Sequence, residues 1–140
     1  MPSNDDMNIE ERRSLVRQYV AAFNRGDIEA VCQCFAPDVV VYGVLGWGNV
    51  AKARAIWQQL ATCFQMNLQV ESMATDGETV AVRYTEHGKF VAPFRGVQPA
   101  GKSYEVVAVE WFEIRNGKIE RRWGARDSAA IFRQMGIPLE

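Results

Sequence analysis

Residues that would support metal, disulfide or nucleic-acid chemistry are scarce in this sequence. There is one histidine, His87, and the three cysteines have neither the spacing of a zinc site nor that of a disulfide framework. The 16 basic and 17 acidic residues nearly cancel, so no net field would attract nucleic acid or an anionic membrane surface. Thiols outside a framework are typical of a reducing compartment. We therefore expect a cytoplasmic protein without a metal site and without a nucleic-acid partner.

Long apolar runs are also missing. No stretch approaches the roughly 18 apolar residues that a membrane-spanning helix needs. The opening MPSNDDMN is polar and acidic, unlike the start of a signal peptide, so we expect no membrane association. What the chain does contain, over 140 residues, is 48% hydrophobic and 24% charged residues, the mixture typical of one globular domain.

The first half of the chain predicts three helices and a short strand. Apolar residues recur at helical spacing over residues 8–24, and they form one stripe. Asp27 is expected to cap a short second helix, and Asn49 is expected to cap a third. Between these two helices, a β-rich run over 39–42 is followed by a loose, glycine-rich stretch over 43–48.

The second half predicts consecutive strands joined by hairpins. Asp76-Gly77 and Asn116-Gly117 are turn signals, and the second is the strongest hairpin signal in the chain. Strands are expected on both sides of each turn, a loop over 96–102, and a last helix over 128–134. Helices followed by consecutive strands predict one α+β domain over residues 1–140, with an antiparallel sheet packed on the N-terminal helices around an apolar pocket.

Two stretches of the chain carry a family resemblance. The opening YVAAFNRGDIEAVCQCFAPDVV resembles the start of the nuclear transport factor 2-like superfamily. The later part is similar to the SnoaL-like polyketide cyclase group within that superfamily. The shared motifs are a Gly-x-x-Pro-x-Gly-Lys loop at 96–102, a Gly-Lys-Ile hairpin at 117–119, a Trp-Gly pair at 123–124, the aspartate Asp127 and a final helix at 132–136. The resemblance implies a cone-shaped half barrel with a curved mixed or antiparallel sheet, and a homodimer formed through that sheet.

The resemblance also implies a chemistry for the pocket. In SnoaL-like cyclases the aspartate at the position of Asp127 is the general acid/base. Asp127 would remove a proton from a methylene activated by two carbonyls, and the enolate would close a ring by an aldol-type attack on a second carbonyl. Such a substrate is small, hydrophobic or aromatic, and acidic enough to need neither a metal nor an organic cofactor. Desolvation in the pocket would raise the pKa of Asp127 towards neutrality.

The polar candidates also have ordinary structural interpretations. Asp127 precedes a predicted helix and could serve only as its cap. Glu110 lies in an apolar strand, where it is either a catalytic partner in the pocket or a solvent-facing residue paired with Arg121 or Arg122. Tyr19 lies on the apolar stripe of the first helix, and its hydroxyl either enters the pocket or is satisfied within the core.

Three further residues are candidates for substrate binding. His87 titrates in the range that suits proton transfer if it faces the pocket, and otherwise it is a surface or turn residue. Trp123 shares the strand parity of Asp127, which predicts that it lines the pocket. Trp47 falls in the glycine-rich stretch and would close the mouth of the pocket. Tryptophans are core residues by default, so both assignments compete with simple packing.

Other members of the superfamily provide alternatives. A ketosteroid isomerase would carry its base near Gly43, where no carboxylate is present. A limonene epoxide hydrolase would combine Arg83 and Asp127 with an aspartate at the position that Thr85 occupies, and a dehydratase-type His–Asp pair would depend on His87. Two readings involve no catalysis: a cone that only binds a small molecule, and a filled cone that acts through dimerisation.

Overall fold

The structure, a computed structural model, describes residues 7–43 and 46–138. Within these residues the helices are α1 (Ile9–Asn24), α2 (Ile28–Gln33), α3 (Val50–Phe64) and α4 (Ser128–Met135). The strands are β1 (Phe35–Gly43), β2 (Gly46–Gly48), β3 (Asn67–Asp76), β4 (Thr79–Lys89), β5 (Ser103–Arg115) and β6 (Lys118–Arg126). No described helix has both the length and the apolar character needed to cross a membrane.

The helix starts are set by local capping. The side chain of Asn8 accepts a hydrogen bond from the Glu11 backbone N–H at 2.8 Å, and the Glu11 side chain accepts one from the Asn8 backbone N–H. Asp27 caps α2 and Asn49 caps α3 in the same manner. The predicted starts of all three helices are therefore confirmed.

The sheet has the order β2-β1-β6-β5-β4-β3 and is mixed. Strands β3 to β6 form consecutive antiparallel hairpins, and the β5–β6 turn has positive φ at both Asn116 and Gly117, as predicted for that pair. Strand β1 runs parallel to β6. The hairpin argument did not predict this pair, because it concerns neighbours along the chain, whereas β1 and β6 meet only through the tertiary fold.

One local prediction is wrong. The stretch over 43–48 was expected to be loose, but Gly43 ends β1 and Gly46–Gly48 forms a short strand antiparallel to it. Val44 and Leu45, within the same glycine-rich stretch, lie outside the described residues. Main-chain hydrogen bonding to β1 compensates for the weak intrinsic strand preference of glycine.

Alternation along the strands gives the sheet two different faces. The inner face packs on the helices and is buried, whereas the outer face exposes large apolar side chains such as Val107 and Trp111. Register shifts in the β1–β6, β3–β4 and β5–β6 pairs mark bulges, which bend strands and increase twist. The result is the predicted α+β cone, a curved and unclosed sheet with its helices on the inner side.

Candidate functional site

A cavity of about 100 Å³ lies between the inner face of the sheet and helices α1 and α3. Most of its wall is apolar, with large contributions from Phe23, Val41, Trp57, Leu60 and Leu68. The polar side chains in the wall come from α1, from the start of α3 and from three strands: Tyr19, Asn49, Lys52, Tyr84, Glu86, Glu110, Arg122 and Arg126. An apolar wall with a few convergent polar groups is the usual form of a small-molecule site.

Strand parity brings Glu110 into this cavity. Its neighbours by twos on β5, Ala108 and Phe112, are buried on the inner face, and its side chain is only 10% exposed. On β6 the residue opposite is Gly124, which has no side chain to fill the space. A Cβ at position 124 would lie 2.6 Å from Arg122 Nη1, so the glycine leaves room for that guanidinium.

One oxygen of the Glu110 carboxylate is held from two sides. The Tyr19 hydroxyl donates a hydrogen bond to Oε2 at 2.7 Å. Arg122 Nε lies 2.9 Å from the same oxygen, but its N–H is not aligned with it, so the contact is an ion pair without a hydrogen bond. Arg122 is held in turn by a hydrogen bond from Nη1 to the Tyr42 carbonyl at 3.1 Å, and it lies over the Trp57 ring.

The other oxygen of the Glu110 carboxylate, Oε1, is not held in this way. Among the described residues, Glu110 Oε1 has no hydrogen-bond partner although it is buried, and the same is true of the Tyr84 hydroxyl. Tyr84 is close enough to Glu110 for hydrogen bonding to contribute to its raised pKa, but the two groups do not meet the geometry of a formed bond, so they belong to one cluster. More than nine in ten buried polar groups in proteins are hydrogen-bonded. Both atoms are therefore available to hydrogen-bond a molecule bound in the cavity.

The ionisation of this cluster follows from its burial. Burial raises the pKa of Tyr19 and of Tyr84 well above the ordinary value for tyrosine, and the Glu110 carboxylate raises both further. Burial alone would lower the pKa of Arg122, but the attraction of Glu110 offsets this and the pKa of Arg122 is raised. At neutral pH both phenols are hydrogen-bond donors, and the guanidinium is charged.

A second ion pair lines the same cavity. Arg126 Nε donates to Glu86 Oε1 at 2.9 Å, and Arg126 Nη2 donates to Glu86 Oε2 at 2.5 Å. The Tyr104 hydroxyl also donates to Oε2, at 2.5 Å. The Glu86 side chain is 1% exposed and that of Arg126 is 17% exposed, so this bidentate pair with its phenol is a largely buried network. Burial and the adjacent Glu86 carboxylate raise the pKa of Tyr104, which keeps its proton.

Asp127 does not line the cavity. It is exposed, and its carboxylate accepts a hydrogen bond from the Ala130 backbone N–H at 2.9 Å as the N-cap of α4. Arg126, one residue earlier, is the side chain that enters the cavity. The geometry favours the capping interpretation, and a catalytic role for Asp127 stays a prediction.

Trp123, Trp47 and His87 also lie away from the cavity wall. Trp123 is on the outer face, where its ring centroid is 6.2 Å from that of Trp47. The parity argument placed Trp123 inside because it counted to Asp127, which lies beyond the end of β6. The His87 ring is near Gln69 and Glu105 on the opposite side of β4 from the inward-facing Glu86. Their contribution to binding is untested.

Sequence reasoning gave no role to Tyr84 or Arg126, and it considered Arg122 only as a partner of a solvent-facing Glu110. Strand parity in the sequence places each of these side chains on the inner face. Tyr84 and Glu86 continue the inner-face parity of Val80 and Val82, and the two arginines share the parity of Gly124. Polar side chains in phase with a buried apolar series are candidates for a cavity wall.

No metal-binding arrangement occurs in the parts of the chain that the structure describes. Residues 7–43 and 46–138 contain no group of three or more histidine, cysteine, aspartate or glutamate side chains placed to hold an ion. The three cysteines are free thiols.

Comparisons with known proteins bear on the whole cone. A family model described as a SnoaL-like domain matches residues 16–122. No curated protein matches the sequence. Among solved structures, the chain is similar to AclR of Streptomyces galilaeus, a proposed hydroxylase, with 26% identity and a TM-score of 0.85 over 94% of this chain and 100% of that one.

Proposed polyketide cyclases are among the other similar structures. One from Pseudomonas putida KT2440 shares 27% identity, with a TM-score of 0.76 over 89% of this chain and 97% of that one. IdmH of Streptomyces antibioticus shares 24% identity, with a TM-score of 0.79 over 90% of this chain and 99% of that one, and this likeness concerns the fold alone. Two different activities are attached to these neighbours, so the likeness does not select a reaction.

Proposed function

The chain belongs to the SnoaL-like domain family, and from this premise we propose that it catalyses an acid/base, aldol-type ring closure of a small polyketide-like substrate. The observation that carries the proposal is the state of Glu110. One of its oxygens is held by Tyr19 and Arg122, and the other is buried without a partner in the wall that also contains the Tyr84 hydroxyl. This is the arrangement of an oriented base beside an oriented donor.

The first step is the removal of a proton from carbon. A methylene between two carbonyls gives up its proton to Glu110 Oε1, and the electron pair of the C–H bond moves into the adjacent carbonyl to form an enolate. Tyr19 and Arg122 stay on Oε2, so they hold the carboxylate in place during the transfer. The apolar wall around Trp57 and Leu60 keeps bulk water from competing for the base.

Tyr84 stabilises the charge that this step creates. Its raised pKa means that the phenol keeps its proton and donates a hydrogen bond to the developing enolate oxygen. In a cavity of low dielectric constant such a donor stabilises a transition state more than it would in water. The lack of a protein partner for this hydroxyl leaves the donor available to the substrate.

Ring closure then conserves atoms and electrons. The enolate carbon attacks a second carbonyl carbon of the same molecule, a carbon–carbon bond forms, and the second carbonyl oxygen becomes an alkoxide. That alkoxide takes the proton from the Glu110 carboxyl group, which regenerates the carboxylate paired with Arg122. The proton that left carbon is returned to oxygen, and nothing is oxidised or reduced.

The direct test follows the keto–enol interconversion of benzoylacetone, an aryl 1,3-diketone, by its ultraviolet absorbance. We expect wild-type protein to accelerate it and Glu110→Gln to lose that acceleration by roughly 100-fold or more. Glu113→Gln makes the same change on the outer side of the same strand and serves as the control. Full acceleration by a folded Glu110→Gln protein would overturn the assignment.

Binding without reaction is the second candidate. The ion pair between Glu110 and Arg122 favours it, because a carboxylate whose charge is balanced by an arginine can serve packing and orientation alone. In that case benzoylacetone binds, as seen by quenching of tryptophan fluorescence through Trp57 in the wall, but its interconversion is no faster than in buffer.

A further inference from the structure

Two buried atoms in the cavity wall have complementary hydrogen-bonding roles. Glu110 Oε1 belongs to a carboxylate, which only accepts hydrogen bonds, whereas the Tyr84 hydroxyl can donate one. Burial raises the pKa of Tyr84, so its phenol keeps the proton at neutral pH. Neither atom has a hydrogen-bond partner among the described residues. A ligand that satisfies both atoms must therefore present a donor to one and an acceptor to the other.

The two side chains are diagonal neighbours on the inner face of the sheet. Tyr84 on β4 lies opposite Ala108 on β5, and Glu110 lies two residues further along β5, opposite Val82. Diagonal neighbours are about 7–8 Å apart at the backbone, which is within reach of long side chains. The Tyr84 hydroxyl is close to the Glu110 carboxylate without forming a bond to it. One atom of a ligand can therefore contact both groups.

A hydroxyl oxygen is the single atom that fits this pair. Its lone pairs accept a hydrogen bond from Tyr84, and its own proton is donated to Glu110 Oε1. A carbonyl or ether oxygen would satisfy Tyr84 and leave the carboxylate oxygen without a donor. An anionic oxygen would place its lone pairs against those of the carboxylate. A hydroxyl on an unsaturated carbon, as in an enol or a phenol, is a more acidic donor than an ordinary alcohol and therefore suits a charged acceptor best.

The rest of the wall favours a compact ligand without charge. Glu110 is balanced by Arg122 and Glu86 by Arg126, so neither carboxylate needs a counter-ion from the ligand. Most of the remaining wall is apolar, including the Trp57 ring. The cavity volume of about 100 Å³ is below that of a cavity of roughly 150 Å³ that holds benzene. The part of a ligand that enters is therefore expected to be no larger than one six-membered ring.

We propose that the cavity recognises a neutral ligand through one hydroxyl on an unsaturated carbon, an enol or a phenol, whose oxygen lies between the Tyr84 hydroxyl and Glu110 Oε1. This recognition stands on the two unsatisfied atoms, and only its catalytic consequence rests on the proposed function. The enol form of a 1,3-dicarbonyl substrate loses its O–H proton to Oε1, and the electron pair stays on the enol oxygen. The enolate is the same one that loss of the carbon-bound proton gives.

The test compares each hydroxyl compound with a compound of nearly equal size that has a methyl group instead. One arm uses phenol and toluene, and the other uses the enol 2-hydroxycyclohex-2-enone and 2-methylcyclohex-2-enone, all at pH 7. Dissociation constants are measured by NMR titration, which reaches millimolar affinities. The hydroxyl preference is the dissociation constant of the methyl compound divided by that of the hydroxyl compound. Differences in ligand hydration cancel when this preference is compared between protein variants.

Two variants remove the two contacts one at a time. Glu110→Gln replaces the charged acceptor and is expected to lower the hydroxyl preference roughly 10-fold or more. Tyr84→Phe removes the donor and is expected to lower it roughly 5-fold. Tyr84→Phe breaks no hydrogen bond within the described residues, so it carries the test if Glu110→Gln does not fold. Glu113→Gln and Tyr42→Phe make the same changes on the outer face and should leave the preference unchanged.

A hydroxyl preference in both arms that is no higher in the wild-type protein than in folded Tyr84→Phe would overturn this proposal. That result is expected if a water molecule, or a direct bond between the two side chains, already satisfies both atoms. A preference confined to one arm supports the proposal and identifies the ligand as an enol or as a phenol. Failure of the proposed reaction gives a different result. If the preference is present but benzoylacetone interconversion does not depend on Glu110, the hydroxyl site stands and the ring-closure assignment falls.

Discussion

The unsatisfied oxygen atoms of Glu110 and Tyr84 are the residue-scale feature on which the proposed chemistry depends. Leaving a buried polar group without a partner costs about 1–3 kcal/mol, so a fold that served stability alone would gain by replacing it. Tyr19 differs from Tyr84 in this respect, since its hydroxyl is bonded to the carboxylate. The two tyrosines therefore make a matched pair for experiment.

Phenylalanine at these two positions should have opposite effects on stability. Tyr84→Phe is expected to leave the free energy of unfolding unchanged or raise it, because no bond is lost, while the rate of benzoylacetone interconversion falls about 10-fold or more. Tyr19→Phe is expected to lower the free energy of unfolding by about 1.5–3 kcal/mol, because it removes a bond to a charged group. Urea denaturation measures the free energy of unfolding of both variants. Marked destabilisation by Tyr84→Phe would show that its hydroxyl has a structural partner after all.

The two interpretations of Asp127 can be separated with one small residue. Serine is as good an N-cap as aspartate but has no carboxylate. We expect Asp127→Ser to retain both stability and interconversion rate, and Asp127→Ala to lose about 1 kcal/mol of stability through the missing cap. If Asp127→Ser is stable but slower by two orders of magnitude, the catalytic role implied by the family resemblance is correct and the cap is secondary.

At the scale of elements, strand β4 depends on a close approach at Gly88. Gly88 pairs with Tyr104 on β5, and the Phe64 carbonyl at the end of α3 approaches the same position. A Cβ at position 88 would lie 2.1 Å from Tyr104 Cε1 and 2.7 Å from the Phe64 carbonyl oxygen. The missing side chain therefore lets α3 and the Tyr104 ring meet over β4, which in turn places the Tyr104 hydroxyl on Glu86.

Gly88→Ala should be strongly destabilising. Overpacking of this kind costs about 1–3 kcal/mol, and the backbone atom in contact cannot move aside without shifting the end of α3. Gly43→Ala is the control, because its Cβ would lie 3.7 Å from the nearest atom, Arg122 Nη1, which is an ordinary contact. Denaturant midpoints of the two variants give the comparison, and equal midpoints would contradict the packing argument.

At the scale of the whole molecule, the outer face of the sheet is unusually apolar for a surface. Val107, Val109 and Trp111 on β5 are 62%, 44% and 49% exposed, and the Tyr42, Trp47 and Trp123 rings cluster beside them. Exposed apolar patches of this kind mark interaction sites. We propose that a second copy of the chain covers this face, as the family resemblance implies for the sheet.

A charge at the centre of the face should prevent that association. Trp111→Glu is expected to convert a dimer to a monomer in analytical ultracentrifugation, because two glutamates would be buried near each other across the interface. Ile9→Glu on α1 removes an apolar side chain of similar exposure, 51%, from another part of the surface and should leave the mass unchanged. A wild-type protein that is monomeric at all concentrations tested would exclude the dimer.

Much of the fold was predictable because its determinants are local. The caps at Asn8, Asp27 and Asn49 and the turn at Asn116-Gly117 depend on interactions within a few residues, which the sequence displays directly. The order of helices and hairpins then leaves few architectures open, and the family motifs select the cone among them.

The site was less predictable because its determinants are not local. Alternation along the strand groups Glu110 with Ala108 and Phe112, but which face of β5 is buried depends on where α1 and α3 pack. Parity also failed at the end of β6, where the chain leaves the strand and Asp127 becomes a cap while Arg126 enters the cavity.

By itself, then, the sequence determined the helix ends, the turns and the cone. It also showed a tyrosine and a glutamate, Tyr19 and Glu110, whose polar groups would need partners if they were buried. Only the tertiary structure decided that Tyr19 and Glu110 meet, that Arg122 pairs with Glu110, and that Glu86–Arg126 forms a second ion pair in the same wall. The reason is physical: a cap or a turn is satisfied by its own neighbours along the chain, whereas a buried charge is satisfied only by what another element brings to it.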